Sequence, residues 1–155
     1  MLCHGRFALC GDWEAVGTPR GLHRLRLVPS FVHSNGWSRW TQAGLDALES
    51  TLQPGMTMAD IGTGTGILAI AAVLLGATHV YALDVHPEAV EVATRNVVLN
   101  GMDDRITVME GSLPPPPVDL ILLSISTAFA RDRAAAYQAP VVVVVHDDAT
   151  WEIRA

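Results

Sequence analysis

One stretch restricts the folding options of this chain more than any other. Asp60 is followed by glycines at 62, 64 and 66, and then by the apolar run Ile67 to Leu75. The pattern predicts a buried strand that ends in a glycine turn and opens directly into a helix. Glycine alone takes the backbone angles of such a turn without steric cost and lets a ligand lie against the main chain. The N–H groups at the start of the helix lack helical partners and face whatever sits above the turn. A dinucleotide fingerprint places its third glycine three residues after the second. Here it comes one residue early, as Asp60-x-Gly62-x-Gly64-x-Gly66, which argues against a nicotinamide-dependent oxidoreductase.

About twenty residues on, where an acidic ligand for a ribose is expected after the second strand, stands Asp84, at the end of His79 to Asp84. The glycine turn resembles the first motif of the class I, Rossmann-like S-adenosylmethionine-dependent methyltransferases. Asp84 to Val90 and Ala93 to Gly101 resemble the following strand and helix in the ribosomal protein L11 methyltransferase group. The resemblance runs from about Leu22 to Ile125, and Leu25 to Ser30 echo the segment before the motif.

That resemblance implies S-adenosylmethionine as cofactor. Gly62, Thr63, Gly64 and Gly66 would pass under its methionine part, with Asp60 near the ammonium and sulfonium. Asp84 would accept from both ribose hydroxyls, Val85 and His86 would flank the adenine, and Ser112 would stand in the slot where the family offers the adenine amino group an acidic residue. At the end of the fourth strand the L11 group has an asparagine that orients the amine to be methylated, and this chain has Ser124. A serine holds a hydroxyl or amine but is a poor base alone. His33 is therefore a second catalytic candidate beside Ser124, and His146 a possible base. Between Phe31 and Trp40 the family's Gly/Thr-rich loop is replaced by a segment carrying His33, Trp37 and Trp40. The two tryptophans either cover the cofactor and an apolar substrate as a lid or anchor the next helix.

Elsewhere the pattern reads as alternating strands and helices. Gly5 to Pro29 predicts a short strand, a turn and a second strand (Leu22 to Val28), with His23, Arg24 and Arg26 as candidates for a solvent face. Leu45, Leu48 and Leu52 make one stripe of a helix over Thr41 to Leu52. A helix from Pro87 ends at Asn100-Gly101, and a strand follows over Asp104 to Glu110. After Pro114 to Pro117, a stiff linker, come a strand over Val118 to Ile125, a helix over Ala128 to Gln138, and a strand over Pro140 to His146. This rhythm predicts an α/β architecture with a doubly wound, mostly parallel sheet, truncated after the fifth strand. Residues 1–30 would be N-terminal strands and an arm, and residues 31–155 the S-adenosylmethionine-binding domain. Five consecutive valines on an open edge invite aggregation, so the N-terminal strands, a second copy of the chain or a partner subunit are expected to cover them.

The 155 residues have a formal charge of −6, and every basic charge is an arginine. Without a basic stripe, neither nucleic acid nor an anionic membrane is expected as a partner. No apolar run reaches bilayer length and the first residues lack the shape of a secretory signal, so a cytoplasmic location is expected. Cys3, His4 and Cys10 do not complete a zinc site, and no metal is expected. The chain has no room for the separate recognition domain of the L11 enzymes, which argues against L11 itself as substrate. The reading is a methyltransferase acting on a small molecule or a protein side chain. The alternative is a degenerate S-adenosylmethionine-binding partner subunit without catalysis.

Overall fold

The computed structural model describes residues 1–11, 17–28, 38–111, 116–126, 137, 139–146 and 148–154. Its centre is a six-stranded sheet. In sequence the strands are β4 (Thr57–Ile61), β5 (His79–Asp84), β6 (Ile106–Glu110), β7 (Leu120–Leu123), β8 (Val141–Val145) and β9 (Trp151–Arg154). In space they run β6-β5-β4-β7-β8-β9, all parallel except β9. Ahead of them, β1 (Leu2–His4), β2 (Phe7–Gly11) and β3 (His23–Leu27) form a separate three-stranded sheet in which β2 and β3 are parallel.

Three helices are described: α1 (Arg39–Thr51), α2 (Ile67–Leu74) and α3 (Pro87–Leu99). α1 starts where the Ser38 hydroxyl accepts from Thr41 N–H at 3.1 Å, the usual capping device. Every residue of α2 from Ile67 to Val73 is buried, because the helix is packed between the sheet, α1 and β3. A Cβ at Gly44 would lie 2.7 Å from Leu68 Cδ1, so the glycine lets α1 press onto α2. Pro87 occupies the first turn of α3, where its missing N–H leaves nothing unsatisfied.

Side chains of the three helices, Phe7, Leu9, Leu25 and Leu27 of the small sheet, and one face of the large sheet make a single buried cluster. The opposite face buries Ala59, Ile61, Leu83, Ile121, Leu123, Val142 and Val144 with Tyr137. The helix expected over 128–138 falls almost wholly outside the described residues, so the described helices represent one side of the winding.

The expectation of a sheet truncated after the fifth strand is corrected. The chain turns at Ala149, with φ +63°, where the Asp148 carboxylate accepts from Thr150 N–H at 3.0 Å and from its hydroxyl at 2.6 Å. It then runs back along β8 as an antiparallel sixth strand, with Val145 opposite Trp151. Trp151 packs against the main core. The valine edge is thus covered by the chain's own next residues, and the expectation that the N-terminal strands or a second subunit cover it is replaced. The N-terminal strands lie on the helix side instead, where they share the core.

Candidate active site

The strand order reverses between β4 and β7. In open α/β sheets the crevice at such a reversal, beyond the carboxyl ends of the strands, is where ligands bind. Here the ends of β4, β5 and β7 surround a cavity of about 630 Å³, within the range of small-molecule sites.

Its floor is the glycine turn. Gly62 and Thr63 N–H both donate to Leu83 O, at 2.8 and 2.9 Å, and Gly66 N–H donates to Thr63 O at 2.9 Å. Gly62 has φ +81°, and a Cβ there would stand 2.7 Å from Ser124 O and 2.5 Å from Ile125 Cγ2. Glycine is therefore required both for the turn and for the close approach of β7. Gly66, φ +77°, leads into α2 with its backbone against Ala93, whose Cα lies 3.3 Å from where a Cβ would be.

Asp84 is only 7% exposed. One carboxylate oxygen accepts from Gly64 N–H at 2.9 Å and the other from His86 N–H at 3.0 Å. The carboxylate thus ties the glycine turn to the segment after β5, a structural purpose that the sequence alone did not disclose. An ionised carboxylate offers about four acceptor positions, so two remain for a ligand's hydroxyls. Val85, 54% exposed, and His86 stand beside it along the cavity.

Asp60 lies below this floor with no exposed surface and is not among the residues lining the cavity. Its Oδ2 accepts from the Thr63 hydroxyl at 2.7 Å, and its Oδ1 has no hydrogen-bond partner. Burial pushes its pKa from 3.8 up to about 7, opposed by the Thr63 hydroxyl and reinforced by the charge of Asp84. A carboxyl so placed answers the electrostatics of whatever occupies the turn above it.

At the β7 side, Ser124 N–H donates to Ile61 O at 2.9 Å, while the Ser124 hydroxyl is buried without a partner. Trp40 Nε1 is likewise buried and unpartnered, and both residues line the cavity. Two buried polar atoms left open in one cavity mark positions where a ligand can complete the hydrogen bonding. Of the residues expected from sequence, Gly62, Thr63, Gly64, Asp84, Val85, His86, Ser124 and Trp40 line the cavity. Asp60 sits beneath it, and Gly66 opens α2. Ser112, His33 and Trp37 lie outside the described residues. His146 is 3.5 Å from Glu152 and is not part of the lining.

Sequence reading missed Ser38, Thr41, Thr65 and Tyr137, all of which line the cavity. Thr41 read as the first residue of a helix, Ser38 as part of the segment between Phe31 and Trp40, and Tyr137 as one residue of an expected helix. Thr65, enclosed between Gly64 and Gly66, was the one whose position already signalled it. The arrangement suits a nucleoside carrying an amino-acid tail: a carboxylate with acceptor positions to spare at the end of β5, a glycine-rich floor, and two polar atoms without partners.

Comparison with known proteins agrees with this geometry. The family described as PrmA, ribosomal protein L11 methyltransferase, matches residues 3–129. Ribosomal protein L11 methyltransferases of Carboxydothermus hydrogenoformans and Bacillus cereus are 38% identical over 136 residues and 41% identical over 137. Those matches cover 84% and 83% of this chain. The chain spans 44% of the length of each of these curated relatives. Among solved structures, a ribosomal protein L11 methylase from Lactobacillus delbrueckii superposes with a TM-score of 0.79 at 30% identity, over 90% of this chain and 75% of that one. A putative RNA methyltransferase from Pyrococcus horikoshii superposes with a TM-score of 0.57 at 26% identity, over 69% of this chain and 58% of that one. The chain belongs to the ribosomal protein L11 methyltransferase family, a family of class I S-adenosylmethionine-dependent methyltransferases.

Proposed function

We propose that this chain holds S-adenosylmethionine in the cavity between β4, β5 and β7 and directs its methyl group to a nucleophile on a protein side chain or a small molecule. One observation carries the reading: the Asp84 carboxylate, the glycine turn and the open Ser124 hydroxyl converge on one cavity. When bound, the sulfonium supplies an electrophilic methyl, so the protein's own contribution is position and orientation. Asp84 uses its two remaining acceptor positions on the ribose diol, and the floor from Gly62 to Gly66 admits the amino-acid tail. Ser124, with Trp40 across the cavity, orients the acceptor. The sequence argued against ribosomal protein L11 as acceptor, but the relatives are named for it, so it is the first acceptor to test, beside free amines and thiols.

A second reading, a cofactor-binding subunit without catalysis, draws on the β7 side of the cavity. Ser124, Ile125 and Ser126 there bring no carboxylate or imidazole, and Asp84 and His86 belong to the β5 side. Titration calorimetry with S-adenosylmethionine, S-adenosylhomocysteine and NAD separates a methyl-donor site from a nicotinamide site. The expected result is binding of the first two and not the third, with affinity reduced at least tenfold by Asp84→Ala. Turnover of S-adenosylmethionine in the presence of an acceptor then selects the enzyme over the inert binder. Binding that is absent, or indifferent to Asp84→Ala, overturns both.

A further inference from the structure

α3 carries a wholly buried amide that the site as described does not use. Asn96 has no exposed surface. Its Nδ2 donates to Thr65 O at 2.8 Å, and its Oδ1 accepts from Val28 N–H at 2.8 Å. The two partners fix which way the amide faces, since one is an acceptor and the other a donor. One turn on, Asn100 treats β3 as a neighbouring strand would: it accepts from Arg26 N–H at 3.0 Å and donates to Arg26 O at 2.7 Å. The same Nδ2 also donates to Asn96 O at 2.7 Å. Burying an amide is costly unless each polar atom is matched, and an apolar residue would pack this face of α3 without that cost. Two features distinguish Asn96 from Asn100. Thr65 lines the cavity, and the adjacent Gly66 rests on Ala93, one turn before Asn96 on α3.

We infer that Asn96 is a positioning residue for the cofactor: its single amide sets the Thr65 carbonyl, and with it the glycine turn, at a fixed distance from the exit of β3. Asn100 bonds β3 and the Asn96 carbonyl of its own helix, and neither partner lines the cavity. The inference rests on the proposed binding of S-adenosylmethionine and assigns the shape of that site to a residue outside it. In Asn96→Asp the acceptor for Val28 is kept and an oxygen is turned toward the Thr65 carbonyl, which pushes the turn away. Asn100→Ala loosens β3 and leaves the Thr65 bond in place.

The test is calorimetry with S-adenosylhomocysteine on the wild type and both variants, with thermal melting alongside. Asn96→Asp is expected to weaken binding at least tenfold, while Asn100→Ala lowers the melting temperature and leaves the dissociation constant within twofold. Hydrogen exchange on the wild type gives a second readout should Asn96→Asp not fold. S-adenosylhomocysteine should slow exchange at Val28, which does not line the cavity, more than at Arg26. Equal affinity of wild type and Asn96→Asp, equal loss in both variants, or equal protection of Val28 and Arg26 overturns the inference while leaving the proposed function standing. A wild type that binds no adenosyl compound removes both.

Discussion

Replacing Asp60 by asparagine tests the electrostatic design beneath the glycine turn. The carboxyl is wholly buried, one oxygen has no partner, and its pKa stands at about 7 against an ordinary 3.8. The folded protein therefore keeps a proton that the unfolded chain gives up near pH 4. The stability this group contributes is fully present below 3.8, falls as pH rises, and is lost once pH passes about 7. At ~1.4 kcal/mol per decade the whole interval amounts to about 4 kcal/mol. Of this, ~1.6 kcal/mol is already lost at pH 5, and ~2.5 kcal/mol is lost between pH 5 and pH 8. The substituted amide can still accept from the Thr63 hydroxyl but cannot ionise. In urea titrations at pH 5 and pH 8, the stability of Asp60→Asn relative to wild type should rise by about 2.5 kcal/mol at the higher pH. Titrating groups that do not interact with Asp60 are common to both proteins and cancel. Parallel pH profiles would refute the reasoning, because they would mean that Asp60 ionises alike in the folded and unfolded chain.

Three other substitutions read out separate parts of the site. Gly62→Ala forces a side chain into a left-handed position against the Ser124 carbonyl and should cost about 2–4 kcal/mol in chemical denaturation; a loss below ~0.5 kcal/mol would show that β7 yields there. Ser124→Ala removes a buried hydroxyl without a partner, so the ligand-free protein should gain about 1 kcal/mol by urea titration, while turnover of S-adenosylmethionine with acceptor falls. Destabilisation would mean the hydroxyl is bonded after all. Deleting residues 147–155 strips β9 from the valine strand, and light scattering should then detect association at concentrations where the full chain is clear.

The parts of the fold that could be read from sequence are those where one residue type has one physical reason. Glycines at 62, 64 and 66 before an unbroken apolar run admit little besides a strand, a turn and a buried helix. α1 begins two residues before the expected Thr41 because Ser38, not the apolar stripe, sets its start. β9 went unread because Trp151 to Arg154 is only four residues long and carries two charges; its strand character comes from pairing with β8 rather than from its own pattern. Asp84 was legible as a candidate ligand for a ribose but not as a tether, since its partners are backbone groups, which look alike at every position. Asn96 and Asn100 looked like ordinary polar residues of a helix, and only the arrival of β3 makes one a bridge and the other a surrogate strand. Asp60 was readable as an acid, while its raised pKa depends on burial that belongs to the assembled sheet.

The backbone contact between Gly66 and Ala93 has a practical consequence for engineering. Only the small Ala93 side chain and its backbone face Gly66 there, so trimming side chains gains no space at that contact. Room in the cavity is gained instead from side chains that line it, such as Ile125 and Tyr137, where a shorter residue would enlarge the chamber and leave the contact of α2 with α3 as it is.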